Sequence, residues 1–383
     1  MGVRFAVLST YPPTQCGIAT FAESLVEQLV RAGAHVGVVR VVDEPQVQVL
    51  PVVQQWVRGS AWSADAAVRC IDDADVAIVQ HEYGIFGGPD GADVVDLVRR
   101  LRVPVITVLH TVLTHPTASQ FQVLAELVDA STALVTMTQT ARDRLVDIWG
   151  VDPARITVIP HGAHENRPPL VARHDRSGRP VMLTWGLLSH GKGIEWALLA
   201  LAELKGSVAL PLYRVVGRTH PKVLERDGEA YRDHLISMAR DLGLAGDVEF
   251  DDRYLTLPEL AATVAGADLV LLPYDSREQV TSGVLTEAVA AGRPVVSTAF
   301  PHAVELLSSG AGLLVPQSDP RALAAALRTV FDDPALSARM AHASRGLAQS
   351  LLWPTVARRY LELGRSLTGT AAVPSPAHQR TAV

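Results

Sequence analysis

The chain has 383 residues, which is long for one domain and enough for two domains that each bury a hydrophobic core. Charged residues make up 19% of the chain and the formal net charge is −6, so the composition predicts no overall attraction to nucleic acid or to anionic lipid. The two cysteines, Cys16 and Cys70, form neither a disulfide framework nor a metal-binding spacing, and their scarcity predicts a reducing, cytoplasmic location.

The sequence gives no sign of membrane insertion. The apolar stretch that follows Met1 is too short for a signal peptide, and no run of about 18 apolar residues without charges occurs. We therefore expect no integral membrane span, while peripheral contact with a membrane stays open.

The first 165 residues predict strands that alternate with helices. A short apolar strand at 4–9 is followed by a loop and a helix over 18–32, in which Phe21, Leu25 and Leu29 recur at four-residue spacing. The other elements predicted here are strands at 36–42, 76–80, 105–109, 133–136 and 156–159, and a helix near 93–100. Residues 43–75 have no clear pattern. The alternation predicts a parallel, doubly wound sheet.

A second series of strands follows a segment at 163–180 that is rich in Pro, Arg and His, as linkers are. The predicted elements are strands at 181–185, 213–216, 248–250, 269–272, 295–298 and 312–315, and helices that include 320–331 and 353–367. The tail at 368–383 has no core pattern and is predicted to be disordered. We therefore predict an α/β protein with two Rossmann-like domains, 1–165 and 178–352, facing each other across a cleft. The last helix is expected to rejoin the first domain.

The stretch at 268–298 has the order strand, polar loop, helix, strand. Pro273 ends its first strand, Ser282 is the predicted N-cap of the helix, and Gly292 closes that helix. Ligands of open α/β sheets bind at the carboxyl ends of the strands, and the free amides of a helix N-terminus favour phosphate. We therefore predict a ligand site at this loop.

Other predicted strand ends carry residues suited to a ligand site. Gly17 lets the backbone approach a ligand after the first strand, although the dinucleotide fingerprint of three spaced glycines is absent. His81, Glu82 and His110 follow two further strands and are expected to face the cleft. The structural alternatives are a turn-only role for Gly17 and a core role for the histidines.

Glu287 and the residues after it, Ala-Val-Ala-Ala-Gly-Arg-Pro-Val-Val, resemble the donor-binding signature of retaining, nucleotide-sugar-dependent glycosyltransferases with the two-Rossmann-domain (GT-B) fold. The resemblance implies that Glu287 holds the ribose hydroxyls of the donor. A second Glu of that family, eight residues earlier, lies near the sugar. Gln279 occupies this position here, and Glu278 is one residue out of register.

Two further segments carry the resemblance. Residues 11–21 resemble the N-terminal loop of these transferases. The loop at 185–193 resembles their pyrophosphate loop, in which an Arg and a Lys neutralise the donor. Lys192 matches that Lys, whereas Leu187 stands in place of the Arg, and Arg218 after another strand is a candidate substitute.

The resemblance also implies a role for each candidate residue. His110 is the best counterpart of a family histidine beside the donor sugar, with His115 as the alternative. The implied catalytic residues are His110 and Lys192, and the implied donor-binding residues are Gly17, Gly186, Lys192, Arg218, Tyr254, Gln279, Ser282, Gly283, Val284 and Glu287. On the acceptor side we expect Gln15, His81 and Glu82.

The implied function is transfer of a hexose, of mannose or glucose type, from a nucleotide diphosphate sugar to a carbohydrate or other hydroxyl acceptor, with retention of anomeric configuration. No cofactor and no metal are expected. The Asp73-Ala-Asp75 sequence lies before a strand, whereas an Asp-x-Asp metal clamp would lie at the end of one. Two alternatives stay open. One is a nucleotide-sugar epimerase of the same fold, and the other is a sugar-nucleotide-binding protein without turnover, which the departures at Leu187 and Gln279 favour.

Overall fold

Two parallel sheets form the framework of the protein. The computed structural model describes residues 2–166, 178–206 and 209–369, so most of the predicted linker and the predicted disordered tail from residue 370 lie outside the described residues. The strands of the first sheet are β1 (Arg4–Ser9), β2 (His35–Val42), β3 (Val52–Val57), β4 (Val76–His81), β5 (Val105–Leu109), β6 (Ala133–Thr136) and β7 (Ile156–Val158). They lie in the order β3-β2-β1-β4-β5-β6-β7.

The second sheet has six strands in the order β10-β9-β8-β11-β12-β13, again all parallel. These strands are β8 (Val181–Trp185), β9 (Leu212–Val216), β10 (Val248–Asp251), β11 (Leu269–Leu272), β12 (Val295–Thr298) and β13 (Gly312–Val315). In both sheets the order reverses beside the first strand of the series, which is where doubly wound sheets open a ligand crevice. The prediction of two Rossmann-like sheets is confirmed.

Helices cover both faces of each sheet, which explains why the central strands are continuous apolar runs. The helices of the first series are α1 (Gly17–Arg31), α2 (Ala61–Asp72), α3 (Asp93–Arg99), α4 (Ala118–Ala130) and α5 (Gln139–Asp147). Those of the second series are α6 (Ile194–Leu204), α7 (Pro221–Asp227), α8 (Ala230–Asp241), α9 (Leu257–Ala265), α10 (Gly283–Ala290), α11 (Pro301–Leu307), α12 (Pro320–Asp332), α13 (Pro334–Leu351) and α14 (Trp353–Gly369).

Residues 43–75, which show no clear pattern in the sequence, contain the strand β3 and the helix α2. β3 is an edge strand, and Val52 and Trp56 are its buried positions, with the half-exposed Gln54 and Gln55 between them. The buried face of α2 includes the small residues Ser63 and Ala67. A half-exposed edge strand and a helix with small core residues give weak hydrophobic periodicity, which explains the missing prediction.

The last helix, α14, packs on the first sheet. Val356, Tyr360 and Leu361 are buried in one cluster with Phe5 of β1 and Phe21 of α1. The chain passes between the two sheets after Ala163 and again before Trp353, and backbone hydrogen bonds join these two points. The amide of Ala163 donates to Leu351 O at 2.7 Å, and the amide of Trp353 donates to Ala163 O at 2.9 Å. We call residues 2–166 together with α14 the first half, and residues 178–206 and 209–351 the second half.

Two fully buried tyrosines give a matched test of hydrogen bonding in the two halves. The hydroxyl of Tyr213 donates to Thr184 Oγ1 at 3.0 Å, whereas that of Tyr360 has no hydrogen-bond partner among the described residues. We expect Tyr213→Phe to cost about 1 kcal/mol of unfolding free energy, and Tyr360→Phe to be neutral or slightly stabilising. Urea unfolding midpoints measure both effects, and a larger loss in Tyr360→Phe would contradict this assignment.

Candidate active site

A cleft of about 1030 Å³ lies between the two halves at the carboxyl ends of both sheets. The first half contributes the loops after β1, β4 and β5, and the second half contributes the loops after β8, β9, β10 and β11. The predicted site residues that line it are Gln15, Gly17, Glu82, His110, Gly186, Lys192, Arg218, Tyr254, Gln279, Gly283, Val284 and Glu287. The topology therefore brings together residues that are far apart in the sequence.

Two predicted site residues do not line the cleft. Ser282 is buried and acts as the N-cap of α10, where its hydroxyl accepts from the amide of Leu285 at 3.2 Å, as predicted for a cap. His81 is fully buried, and burial lowers its pKa to about 4. The predicted exposure of His81 to the cleft is wrong because β4 runs one residue further than the predicted strand and His81 stays within it.

The loop after β8 places Lys192 in the lining of the cleft. Gly193 has φ +62° and is the N-cap of α6, and a Cβ at this position would overlap the carbonyl of Pro273. This left-handed, tightly packed position requires glycine. Lys192 Nζ lies 4.3 Å from the centroid of the buried Tyr274 ring, an arrangement that favours the cation. The ammonium group is therefore positioned by the ring before any ligand binds.

Arg218, in the loop after β9, reaches the loop after β1 on the other side of the cleft. Its guanidinium donates to Gln15 Oε1 at 2.9 Å, so the second half contacts the first half here. Gly217, with φ +137°, precedes it, and a Cβ there would overlap the carbonyl of Gly186. Leu187 also lines the cleft and contributes no charge. Arg218 thus lies in the cleft as a second cation, although not in the loop that carries Leu187.

Glu287 lies on α10 and is held by a residue that the sequence did not indicate. His164 donates through its ring Nδ1 to Glu287 Oε1 at 2.8 Å, and its backbone amide lies 3.2 Å from each carboxylate oxygen. Ser24 Oγ contacts the other ring nitrogen at 3.2 Å. Burial lowers the pKa of His164, but the hydrogen bond and charge of Glu287 outweigh it, so the pKa is raised overall.

The neighbouring carboxylate, Glu278, connects the two halves. Its Oε2 accepts from Arg144 at 2.9 Å and from the amide of Thr114 at 3.0 Å. Burial raises the pKa of Glu278, but these contacts outweigh it and the pKa is lowered overall. The Gln279 amide instead donates to Thr281 O at 3.2 Å and lines the cleft. The residue at the family position is therefore an uncharged amide, while the out-of-register carboxylate is paired with the first half.

His110 and Glu82 face the cleft from the first half. His110 Nε2 lies 2.7 Å from Gln80 Oε1, and burial together with two neighbouring histidines lowers the pKa of His110 to about 3. Glu82 accepts from Thr111 Oγ1 at 2.6 Å and from the amide of Tyr83 at 3.0 Å, and burial raises its pKa. The cleft thus offers a neutral imidazole and a hydrogen-bonded carboxyl group on this side.

The remaining candidates have simpler surroundings. A Cβ on Gly17 would meet no atom within 4 Å, so open space lies above the first turn of α1. Tyr254 reaches across to Thr20, with 3.2 Å between their hydroxyl oxygens. His115 is largely exposed on the surface, with its Nδ1 2.9 Å from Thr114 Oγ1, and it does not line the cleft. His110 is therefore the better placed of the two candidate histidines.

The described ranges contain neither a candidate metal cluster nor a helix that could span a membrane. No group of three or more His, Cys, Asp or Glu side chains among residues 2–166, 178–206 and 209–369 has an arrangement that could hold a metal ion. None of the helices in the same part of the chain combines the length and the hydropathy needed to cross a bilayer.

Sequence comparisons identify relatives of both halves. Residues 16–167 match the family model described as Glycosyltransferase Family 4, and residues 179–333 match that described as Glycosyl transferases group 1. Glycogen synthase of Mycobacterium tuberculosis is 34% identical over 60% of this chain and 53% of its own. D-inositol 3-phosphate glycosyltransferase of Kineococcus radiotolerans is 32% identical over 63% of this chain and 58% of its own. The chain thus spans little more than half the length of these relatives.

Solved structures share the fold. Sucrose-phosphate synthase from Thermosynechococcus elongatus superposes with a TM-score of 0.77 at 18% identity, covering 96% of this chain and 99% of its own. HepE of Anabaena, solved in complex with UDP and glucose, superposes with a TM-score of 0.74 at 18% identity, covering 95% of this chain and 100% of its own. The matched family models and the two facing parallel sheets agree, and the chain belongs to the group 1 glycosyltransferases with the GT-B fold.

Proposed function

We propose that the chain is a retaining glycosyltransferase that moves a hexose from a nucleotide diphosphate sugar to a hydroxyl acceptor in the cleft between its halves. One observation carries the proposal. Lys192, Arg218 and the N-terminus of α10 line the same cleft as the neutral His110 and the carboxyl of Glu82. Cations and helix amides suit a diphosphate, and neutral or anionic acceptors suit sugar hydroxyls.

The second half then binds the donor. The diphosphate lies against Lys192 and Arg218, and the amides at the start of α10 add a positive dipole end. As the bond between the sugar C1 and the diphosphate oxygen breaks, negative charge develops on the diphosphate, and these groups stabilise it. His110 remains uncharged near neutral pH, and because its Nε2–H donates to Gln80 Oε1, its Nδ1 can accept one hydrogen bond from a sugar hydroxyl.

The acceptor approaches from the first half, near Gln15 and Glu82. Its hydroxyl oxygen attacks C1 on the face that the diphosphate leaves, and the hydroxyl proton passes to the departing diphosphate oxygen, so retention needs no protein nucleophile. Gln279 supports this scheme because an amide cannot form a glycosyl ester in the way a carboxylate can, and Glu278 is paired with Arg144. Closure of the cleft excludes water from the reaction.

The donor class is the first quantity to measure. HepE binds UDP and UDP-glucose, which supports a nucleotide-sugar donor for this chain, and UDP-sugars and GDP-mannose are both to be tested. A nucleoside diphosphate at 100 times its dissociation constant should add about 2.7 kcal/mol of stability, which a thermal-shift panel detects. The panel selects the base before any activity is known.

Labelled donor then tests the reaction. Incubation with candidate hydroxyl acceptors should give a glycosylated product whose anomeric configuration is that of the donor. Without a suitable acceptor, we expect slow release of free sugar to water. An isomerised nucleotide sugar would indicate an epimerase, and binding without turnover would indicate a sugar-nucleotide-binding protein. Either result would overturn the proposed reaction.

Metal removal is a separate prediction. Because Lys192 and Arg218 supply positive charge and the described residues offer no metal-binding cluster, we expect transfer to continue in the presence of EDTA. Rates with EDTA and with added Mg²⁺ or Mn²⁺ should agree within about twofold of each other, far less than a metal-dependent step would show. Activity lost in EDTA and restored by either ion would contradict this account of the diphosphate site.

A further inference from the structure

Three side chains from different parts of the chain form a continuous contact through the segment that leaves the first half. Ser24 belongs to α1, His164 to the segment after β7, and Glu287 to α10 of the second half. The side chains of His164 and Glu287 are 30% and 20% exposed, and Ser24 is buried. Glu287 is therefore a predicted site residue of the second half whose carboxylate is held by His164 of the first half.

The contacts fix the orientation of the carboxylate without using all of it. Oε1 accepts the ring N–H of His164 and shares the backbone amide of His164 with Oε2. Among the described residues, Oε2 has no other hydrogen-bond donor. A carboxylate has about four acceptor positions. Oε2 therefore keeps capacity for a hydroxyl of a ligand in the cleft that Glu287 lines.

We propose that His164 is a positioning residue that orients Glu287 toward the ribose of the donor and supplies positive charge beside it. This inference rests on the proposed function, since it concerns the same donor site. Ser24 suits either protonation state of the ring, because a hydroxyl can accept from the Nε2–H of imidazolium or donate to Nε2 of the neutral ring.

The charges around His164 make its protonation matter for a diphosphate ligand. Glu287 faces the ring from α10, and Glu23 and Glu27 act on it from α1. His161, on the same segment, has its pKa lowered by burial, and the ring of Trp353 on α14 is uncharged. When His164 is neutral, three carboxylates therefore surround the site with no cation from the ring, and the approach of a diphosphate anion becomes less favourable.

This arrangement determines how nucleotide binding should change with pH. The raised pKa of His164 means that the imidazolium is present below that pKa and is lost as the pH rises through it. Nucleotide binding should therefore weaken over this interval by more than the titration of the nucleotide itself explains. A glutamine at position 164 can keep a hydrogen bond to Glu287 but carries no charge at any pH.

Calorimetric titration of the full chain with UDP and with GDP tests the inference. At about pH 6, His164→Gln should bind the preferred nucleotide roughly tenfold more weakly than the unchanged protein, and the difference should shrink to less than about threefold near pH 8.5. His342→Gln, an exposed residue on α13, is the matched control and should match the unchanged protein at both pH values. A loss equal at both pH values would indicate a structural role only and would overturn the charge part of the inference.

Glu287→Ala separates failure of this inference from failure of the proposed function. If Glu287→Ala weakens nucleotide binding and His164→Gln does not, His164 is not the positioning residue, while the donor site stands. If Glu287→Ala leaves binding of the nucleotide unchanged, Glu287 does not contact the ribose and this inference falls, while transfer from labelled donor still tests the proposed function. Should His164→Gln not fold, His164→Asn also removes the charge and should show the same loss at about pH 6 that shrinks at higher pH, and a loss equal at both pH values would overturn the inference.

Discussion

Lys192→Ala should lower turnover at saturating donor by on the order of 10²–10³, as expected for loss of a preorganised partner of a developing anion. The side chain is held over the ring of Tyr274 at 4.3 Å and lines the cleft, so its charge is in place before the diphosphate departs. Lys205→Ala is the matched control, because that exposed lysine donates to Gly243 O and does not line the cleft. Near-normal turnover in folded Lys192→Ala would show that the diphosphate is held elsewhere.

Two companion variants define how the charge is shared. Arg218→Ala should reduce turnover by less than Lys192→Ala, because the Arg218 side chain is exposed and its guanidinium also bonds Gln15. Leu187→Arg places a cation in the loop where related enzymes are expected to have one, and it should restore part of the turnover lost in Lys192→Ala. An equal loss in both single variants would mean that the two cations act as one unit.

Glu287→Ala should weaken binding of the nucleoside diphosphate itself by about tenfold to a hundredfold, since hydrogen bonds to a charged group are each worth roughly 1.5–3 kcal/mol. The effect should appear with the nucleotide alone as well as with the intact sugar donor, because the proposed contact is to the ribose. Calorimetric titration measures both affinities. Glu362→Ala, an exposed residue on α14, serves as the control. Loss confined to the sugar donor would place Glu287 beside the hexose and would contradict the ribose contact.

The strands of both sheets could be predicted because a parallel strand that is covered on both faces is a continuous apolar run. β1 was predicted at its observed bounds, and β2 and β4 differ from prediction by one residue. That one residue in β4 decided the environment of His81, which the longer strand buries. Strand ends are the least certain part of a hydrophobic pattern, and site residues lie at strand ends.

The partners of the site residues could not be predicted in the same way. The contact between His164 and Glu287 joins residues 123 positions apart, and that between Thr114 and Glu278 spans 164 positions. Neither pair leaves a local periodicity, since each depends on how the two halves meet. Lys192 was recognisable because the loop at 185–193 resembles the pyrophosphate loop of these transferases, and this loop joins a strand to the helix α6.

Among the described residues, the paired crossings at Ala163 and Leu352 make the second half an insertion into the first half. In the described part of the chain, the polypeptide leaves the first half after β7 and returns to it at α14, which packs against β1. The two crossing points are hydrogen-bonded neighbours, at 2.7 and 2.9 Å through Ala163, so the ends of the inserted segment nearly coincide. Segments with adjacent ends can be exchanged with little disturbance of their host. The second half, which carries Lys192, Arg218 and Glu287, is therefore an insertion whose ends lie side by side. Under the proposed function, this half could be exchanged for one that binds another sugar nucleotide while the first half keeps its own sequence.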